Sequence, residues 1–311
     1  MQTKTSRLHI SSANFLSNKA GHQYLRKNEP TSKITIDALG GAVFCGDDTQ
    51  FIQKPFNAAR GKLFIGITLG TTFANNSAFY GGAAAFARVS LMHLSLISFR
   101  FNGGVNGGAL YLQSDGGINP KNTFNSIQYT GGENLVFENN AAITGGAIFI
   151  CMQWAASLWR SGVLPDNISH VDKEKNVFFE GCRFLHNVAV EAGGALNANG
   201  ARLGCINCRF AHNIVNNDDG NGGAIIASTQ SAFYGRGVQF YDNAAGNGGA
   251  IYADDSLIDL VDAMMTNNIA RDNGGGLYVD ATQRTRFQAR IVARLSNTRV
   301  KRNEAKIGGT M

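Results

Sequence analysis

Phe240–Ala253 reads FYDNAAGNGGAIYA: an aromatic, an asparagine three places on, a glycine pair, then a short apolar run. The same order returns along the chain. FANNSAFYGGAAAF begins at Phe73, FRFNGGVNGGALYL at Phe99, FENNAAITGGAIFI at Phe137, FLHNVAVEAGGALNA at Phe184 and FAHNIVNNDDGNGGAIIA at Phe210. MTNNIARDNGGGLYV at Met265 and VKRNEAKIGGTM at Val300 follow. A degenerate first copy joins FLSN at Phe15 to LGGAVF at Leu39 across a longer insertion. The first glycines of the last eight pairs stand at 81, 107, 145, 193, 222, 248, 274 and 308. An interval of 26 recurs three times and every other interval is longer, which describes a unit of ~26 residues that accepts insertions.

The flanks say what the unit is. After each glycine pair come four or five small or apolar residues, as in AIYA, ALYL and AIFI, too few for a helix and suited to a buried strand. Before each asparagine comes another such run, as in NVFFEGCRF. Short strands at this period, with no room for crossover helices, predict an all-β fold: a parallel β-solenoid of about nine coils with loop insertions. It is expected to be a single domain over 1–311, with an N-terminal coil or cap region at 1–33, an insertion at 151–176 and a basic C-terminal coil at 284–311.

In that fold the asparagines of successive coils stack about 4.8 Å apart along the axis. Asn76, Asn102, Asn140, Asn187, Asn213, Asn243, Asn268 and Asn303 are therefore expected to form an amide ladder at one corner, with the phenylalanines three residues earlier stacked inside. Such a ladder is structural, so these polar residues do not argue for catalysis.

Apolar residues make up 44% of the 311, enough for a sizeable core, and no apolar run reaches the length of a membrane helix. The first dozen residues, MQTKTSRLHISS, carry no hydrophobic core of a secretory signal. The net charge is +6, but residues 1–33 hold six Lys/Arg against one Glu, and 284–306 hold eight against Glu304 alone. A mildly acidic body with basic ends is not a nucleic-acid groove; nucleic acid is not an expected partner. The ends are suited to acidic partners or anionic surfaces. Residues 284–295, RTRFQARIVARL, alternate with period two and predict a strand with Arg284, Arg286, Arg290 and Arg294 outside, ahead of a helical alternative in which Arg286, Arg290 and Arg294 fall four apart on one face.

The paired motifs F-x-x-N and G-G-A-[ILV], eight times in near-constant offset from Phe73 on, resemble the repeats of the chlamydial polymorphic membrane proteins. The resemblance implies a right-handed parallel β-helix of the pectin-lyase-like kind, an outer-membrane or secreted passenger acting in adhesion to a protein partner on a host surface. Those proteins also carry a signal peptide and a C-terminal translocating barrel, which do not show in this chain. The alternative expectation is an intracellular or virion-type assembly subunit that docks through an uncapped last coil.

Chemistry has few footholds. Polysaccharide-active enzymes on such solenoids need carboxylates on neighbouring coils. The acidic pairs Asp47–Asp48, Asp218–Asp219 and Asp254–Asp255 show no such motif, so a non-enzymatic role is expected, with a carbohydrate-active enzyme as the runner-up and no cofactor. GCRFLHN and NCRFAHN are offset by 26 residues, which stacks His186 on His212 and brings Asp242 beneath them, a set able to hold a metal. The alternative is surface residues made alike by repeat duplication. Cys205 and Cys208 flank two residues of a strand and by alternation should face opposite ways. Both tryptophans, Trp154 and Trp159, lie in the 151–176 insertion, where exposure would mark a partner site and packing on the flank would make them structural. A second insertion, 113–132, reads as a polar loop.

Overall fold

The computed structural model describes residues 5–20, 40–45, 62–87, 91–114, 129–152, 177–229, 231–280 and 293–309. They form a right-handed parallel β-helix with no helices. A full coil visits four parallel sheets in turn, here named A to D; among the described residues A and B have nine strands, C five and D eight. The coil from Leu257 shows the plan: Leu257–Val261 lies in A, Met264–Thr266 in B, Ile269–Asn273 in C and Leu277–Asp280 in D.

Strands this close in sequence can lie in different sheets because single left-handed residues bend the chain between them. In this coil they are Asp262 (φ 54°), Asn267 (φ 55°) and Gly274 (φ 61°). At the B-to-C corner the left-handed residues of the nine coils are Ser17, Asn75, Phe101, Asn139, His186, His212, Asp242, Asn267 and Arg302. Six of these are Asn, Asp or His, the non-glycine types that adopt this conformation most readily. The glycine pair combines two demands. Its first member has positive φ, as at Gly248 (62°), and a Cβ on its second would stand 2.2 Å from the Gly275 carbonyl oxygen in the case of Gly249. The first glycine turns the chain and the second lets adjacent coils touch.

The interior is a column of rings. Phe15, Phe73, Phe99, Phe137, Phe184, Phe210 and Phe240 stack with successive centroids 4.5–5.1 Å apart and planes within 13° of parallel. From Phe73 on they are wholly buried, and Met265 and Val300 continue the row. Each such burial contributes about 2 kcal/mol, and the spacing of parallel strands is also the spacing at which rings touch face to face. The described part of the basic C-terminal segment forms strands Ala293–Ser296 and Arg299–Lys301, with Leu295 packed on the core and Arg294 outside. Arg284, Arg286 and Arg290, like Trp154, Trp159 and most of the 113–132 insertion, lie outside the described residues.

The long connections share one position in the order of strands. Segments 46–61, 115–128, 153–176 and 281–292 each run from the end of a D strand to the start of the next A strand. Where no insertion is present, the same step is short, as from Asn199 to Arg202. The expanded turn at 216–220 and the early segment 21–39 are exceptions, placed before the glycine corner.

Candidate functional site

The buried polar residues have a structural account. Asn213 Nδ2 donates to Asn243 Oδ1 at 2.9 Å and to the Phe184 carbonyl at 3.0 Å, while its backbone N–H donates to the same Oδ1 at 3.0 Å. This pattern repeats through Asn76, Asn102, Asn140, Asn187, Asn213, Asn243 and Asn268 to Asn303. All eight are buried. The ladder starts one rung earlier than the sequence expectation: Asn18 donates to Asn76 Oδ1 through both its backbone and side-chain amides.

A second, part-buried amide ladder went unread in the sequence. Asn273 Nδ2 donates to Asn247 Oδ1 at 2.7 Å, and Asn247 Nδ2 to Asn221 Oδ1 at 3.1 Å. Its donors point toward the N-terminus, opposite to those of the first ladder. The signal was the residue immediately before the glycine pair.

Cys205 and Cys208 correct an expectation. Both side chains point inward, beside Cys182, and all three are buried. The left-handed Asn207 (φ 50°) between them turns the chain through a corner and cancels the alternation. Burial pushes the Cys182 and Cys208 thiols far up from their ordinary range, so they are apolar filling.

The histidine column stands on the surface. The rings of His186 and His212 stack at 4.8 Å and 5°, and His212 Nε2 lies 3.9 Å from Asp242 Oδ2. Among the described residues no three His, Cys, Asp or Glu side chains are placed to hold a metal ion. All three belong to the left-handed corner, where His and Asp are favoured on backbone grounds alone.

Other charges are paired. Arg294 Nε and a terminal nitrogen donate to the two oxygens of Asp259 at 3.0 and 2.5 Å, and the Asp259 side chain is only 5% exposed. Asp218, in the expanded turn, meets Arg271. Asp254 and Asp280 are register partners in sheet D, and Tyr252 donates to Asp280 at 3.2 Å. Partial burial first, then Asp280 and Asp255, raise the Asp254 carboxyl above the usual carboxylate range.

Sheet B differs. Its outward side chains include Arg183, Arg209, Arg299 and Lys301, all exposed. Tyr241, from the strand beside that of Arg209, lies under the Arg209 guanidinium at 5.4 Å.

No curated protein and no solved structure matches the chain. Residues 237–254, which hold the corner Gly237, the ladder residue Asn243 and the glycine pair Gly248–Gly249, match the family model of the Chlamydia polymorphic membrane protein repeat. That repeat type points to a protein of the outer membrane or cell surface, and the chain carries it on a parallel β-helix.

Proposed function

We propose that this β-helix is a non-enzymatic interaction protein, an adhesin-like passenger that displays its faces and loops to a protein partner on a host surface. The observation that carries the proposal is the match of residues 237–254 to a membrane-protein repeat. The division of labour within the coil supports it: the repeated polar residues are used in ladders and corners, which leaves the outward faces and the D-to-A connections for recognition. The test is binding of the purified chain to intact host-type cells, measured by flow cytometry. Saturable binding supports the proposal, and its absence removes it.

The basic segment 284–306 is the proposed contact with anionic surfaces. Binding to anionic vesicles that persists after its removal would reject that role. The enzyme alternative has one observation in its favour, the Asp254–Asp280 pair on neighbouring coils. Cleavage of any member of a polysaccharide panel, lost on Asp254→Ala, would replace the present proposal. The assembly-subunit alternative is favoured instead if the chain forms discrete oligomers in solution and ignores cells.

A further inference from the structure

Sheet B carries a charge arrangement that the fold does not need. Its nine strands hold five cationic side chains, Arg100, Arg183, Arg209, Arg299 and Lys301, against the single carboxylate of Glu138. Glu138 is taken by Arg100 at 3.2 Å. The remaining four cations are exposed, and none forms an ion pair among the described residues. Arg183 and Arg209 are direct register partners on adjacent strands, so two like charges start about 4.8 Å apart, an arrangement that destabilises a sheet unless an anion lies between them.

The surroundings define a shallow, extended site. Beside the two arginines stand the half-buried Leu185, on the strand of Arg183, and Tyr241, on the strand after that of Arg209, on which the Arg209 guanidinium rests. Exposed Asn207 and Gln239 flank the arginines with amides. Farther along the same row, Arg299 repeats the charge after Gln239 and Met264. Of the corner carboxylates, Asp242 faces His212 and Asp262 accepts from Asn297 at 2.6 Å.

We propose that the outward face of sheet B binds a sulfated polysaccharide lying along the column axis, with one sulfate held jointly by Arg183 and Arg209 and a later one by Arg299 and Lys301. This rests on the interaction-protein reading and names a ligand class for it. Guanidinium forks take oxyanions two oxygens at a time. A sulfate ester has three free oxygens and can serve both arginines, whereas a carboxylate has two and serves one fork. Nucleic acid fits less well, because single-strand binding uses aromatic platforms for the bases, and Tyr241 is already covered by Arg209.

The test uses the full chain on immobilised heparin, read by surface plasmon resonance at low and high salt. The wild type should bind, and binding should weaken as salt rises. Arg183→Glu with Arg209→Glu should lower the affinity at least about tenfold, while Arg271→Ala, which removes a cation from another face, should leave it unchanged. Circular dichroism checks each variant; should the double reversal unfold, Arg299→Gln with Lys301→Gln carries the test, with the same direction expected. Unchanged heparin binding in the folded variants overturns the proposal. So does equal competition by hyaluronan, which is carboxylated but unsulfated, or by a single-stranded DNA oligonucleotide. A chain that binds cells but not heparin overturns this inference and leaves the interaction reading standing; a chain that binds neither overturns both.

Discussion

Asn187 and Asn213, 26 residues apart in sequence, are joined by a 3.0 Å bond from the Asn187 side-chain amide to Asn213 Oδ1, which also receives the Asn187 backbone N–H at 3.1 Å. One buried oxygen thus serves two donors of the coil before it. Asn213→Ala leaves the Asn187 backbone N–H and one of its two side-chain N–H groups buried without an acceptor, the other still bonded to the Phe137 carbonyl. It also strips the Phe184 carbonyl of its 3.0 Å partner. The expected cost is about 3 kcal/mol in urea unfolding. The same change at Asn18, the part-buried first rung, should cost about 1 kcal/mol. Equal costs at the two positions would contradict the ladder as a source of stability.

The glycines divide into those that need their backbone angle and those that also need empty space. Gly70 has φ 69°, and a Cβ there would meet nothing within 4 Å. Gly70→Ala should cost about 1 kcal/mol. Gly249→Ala places its methyl against the Gly275 carbonyl and the Ile269 backbone, at 2.2 and 2.7 Å, with no flexible side chain to yield. A loss of about 3 kcal/mol is expected. Thermal melting of both variants, compared with wild type, checks the order.

Arg294 is the ion-pair partner of the nearly buried Asp259. Arg294→Ala should destabilise the protein by about 2 kcal/mol, because it leaves a desolvated carboxylate unpaired. Adding Asp259→Asn to that variant should restore most of the loss. A double-mutant cycle measures the coupling, and a coupling near zero would show that solvent already screens the pair.

Asp254 gives a pH dependence of known sign. Its folded-state pKa is raised, so ionisation opposes folding: the penalty is absent below the unfolded value and grows as pH rises through the folded one. Asp254→Asn should therefore stabilise the protein at neutral pH, by under about 1 kcal/mol given its partial exposure, and the gain should vanish in acid. Melting temperature against pH for the two proteins tests this. A gain that grew in acid would have the wrong sign.

Much of this fold could be read from spacing. Phe-x-x-Asn and Gly-Gly recur because the stacked rings, the amide ladder and the close coil contact each demand one residue type. What escaped was set by backbone shape. The residue before each ladder asparagine is left-handed in every coil, yet it ranges from Asn75 to Phe101 to Arg302, because neighbouring coils impose the bend whatever the side chain. The inward turn of Cys205 and Cys208 follows from such a corner at Asn207. The Asn221–Asn247–Asn273 ladder spans only three coils, since at other coils Thr144 or Ala192 holds the same register. The surface was least legible. The meeting of Arg183 with Arg209 follows from the 26-residue offset, but their lack of acidic partners among the described residues depends on which side chains the other coils turn outward.

The placement of the long connections separates growth from architecture. Among the described residues the phenylalanine stack, the asparagine ladders and the glycine pairs lie between the start of an A strand and the end of a D strand, and the chain can lengthen in the D-to-A step without moving them; coils with no insertion there turn instead at Gly200, Thr229 and Asp255. Loop closure penalises added length only logarithmically. A lineage carrying this scaffold can therefore exchange or lengthen those segments freely, so that its surface changes quickly while its melting temperature stays almost the same.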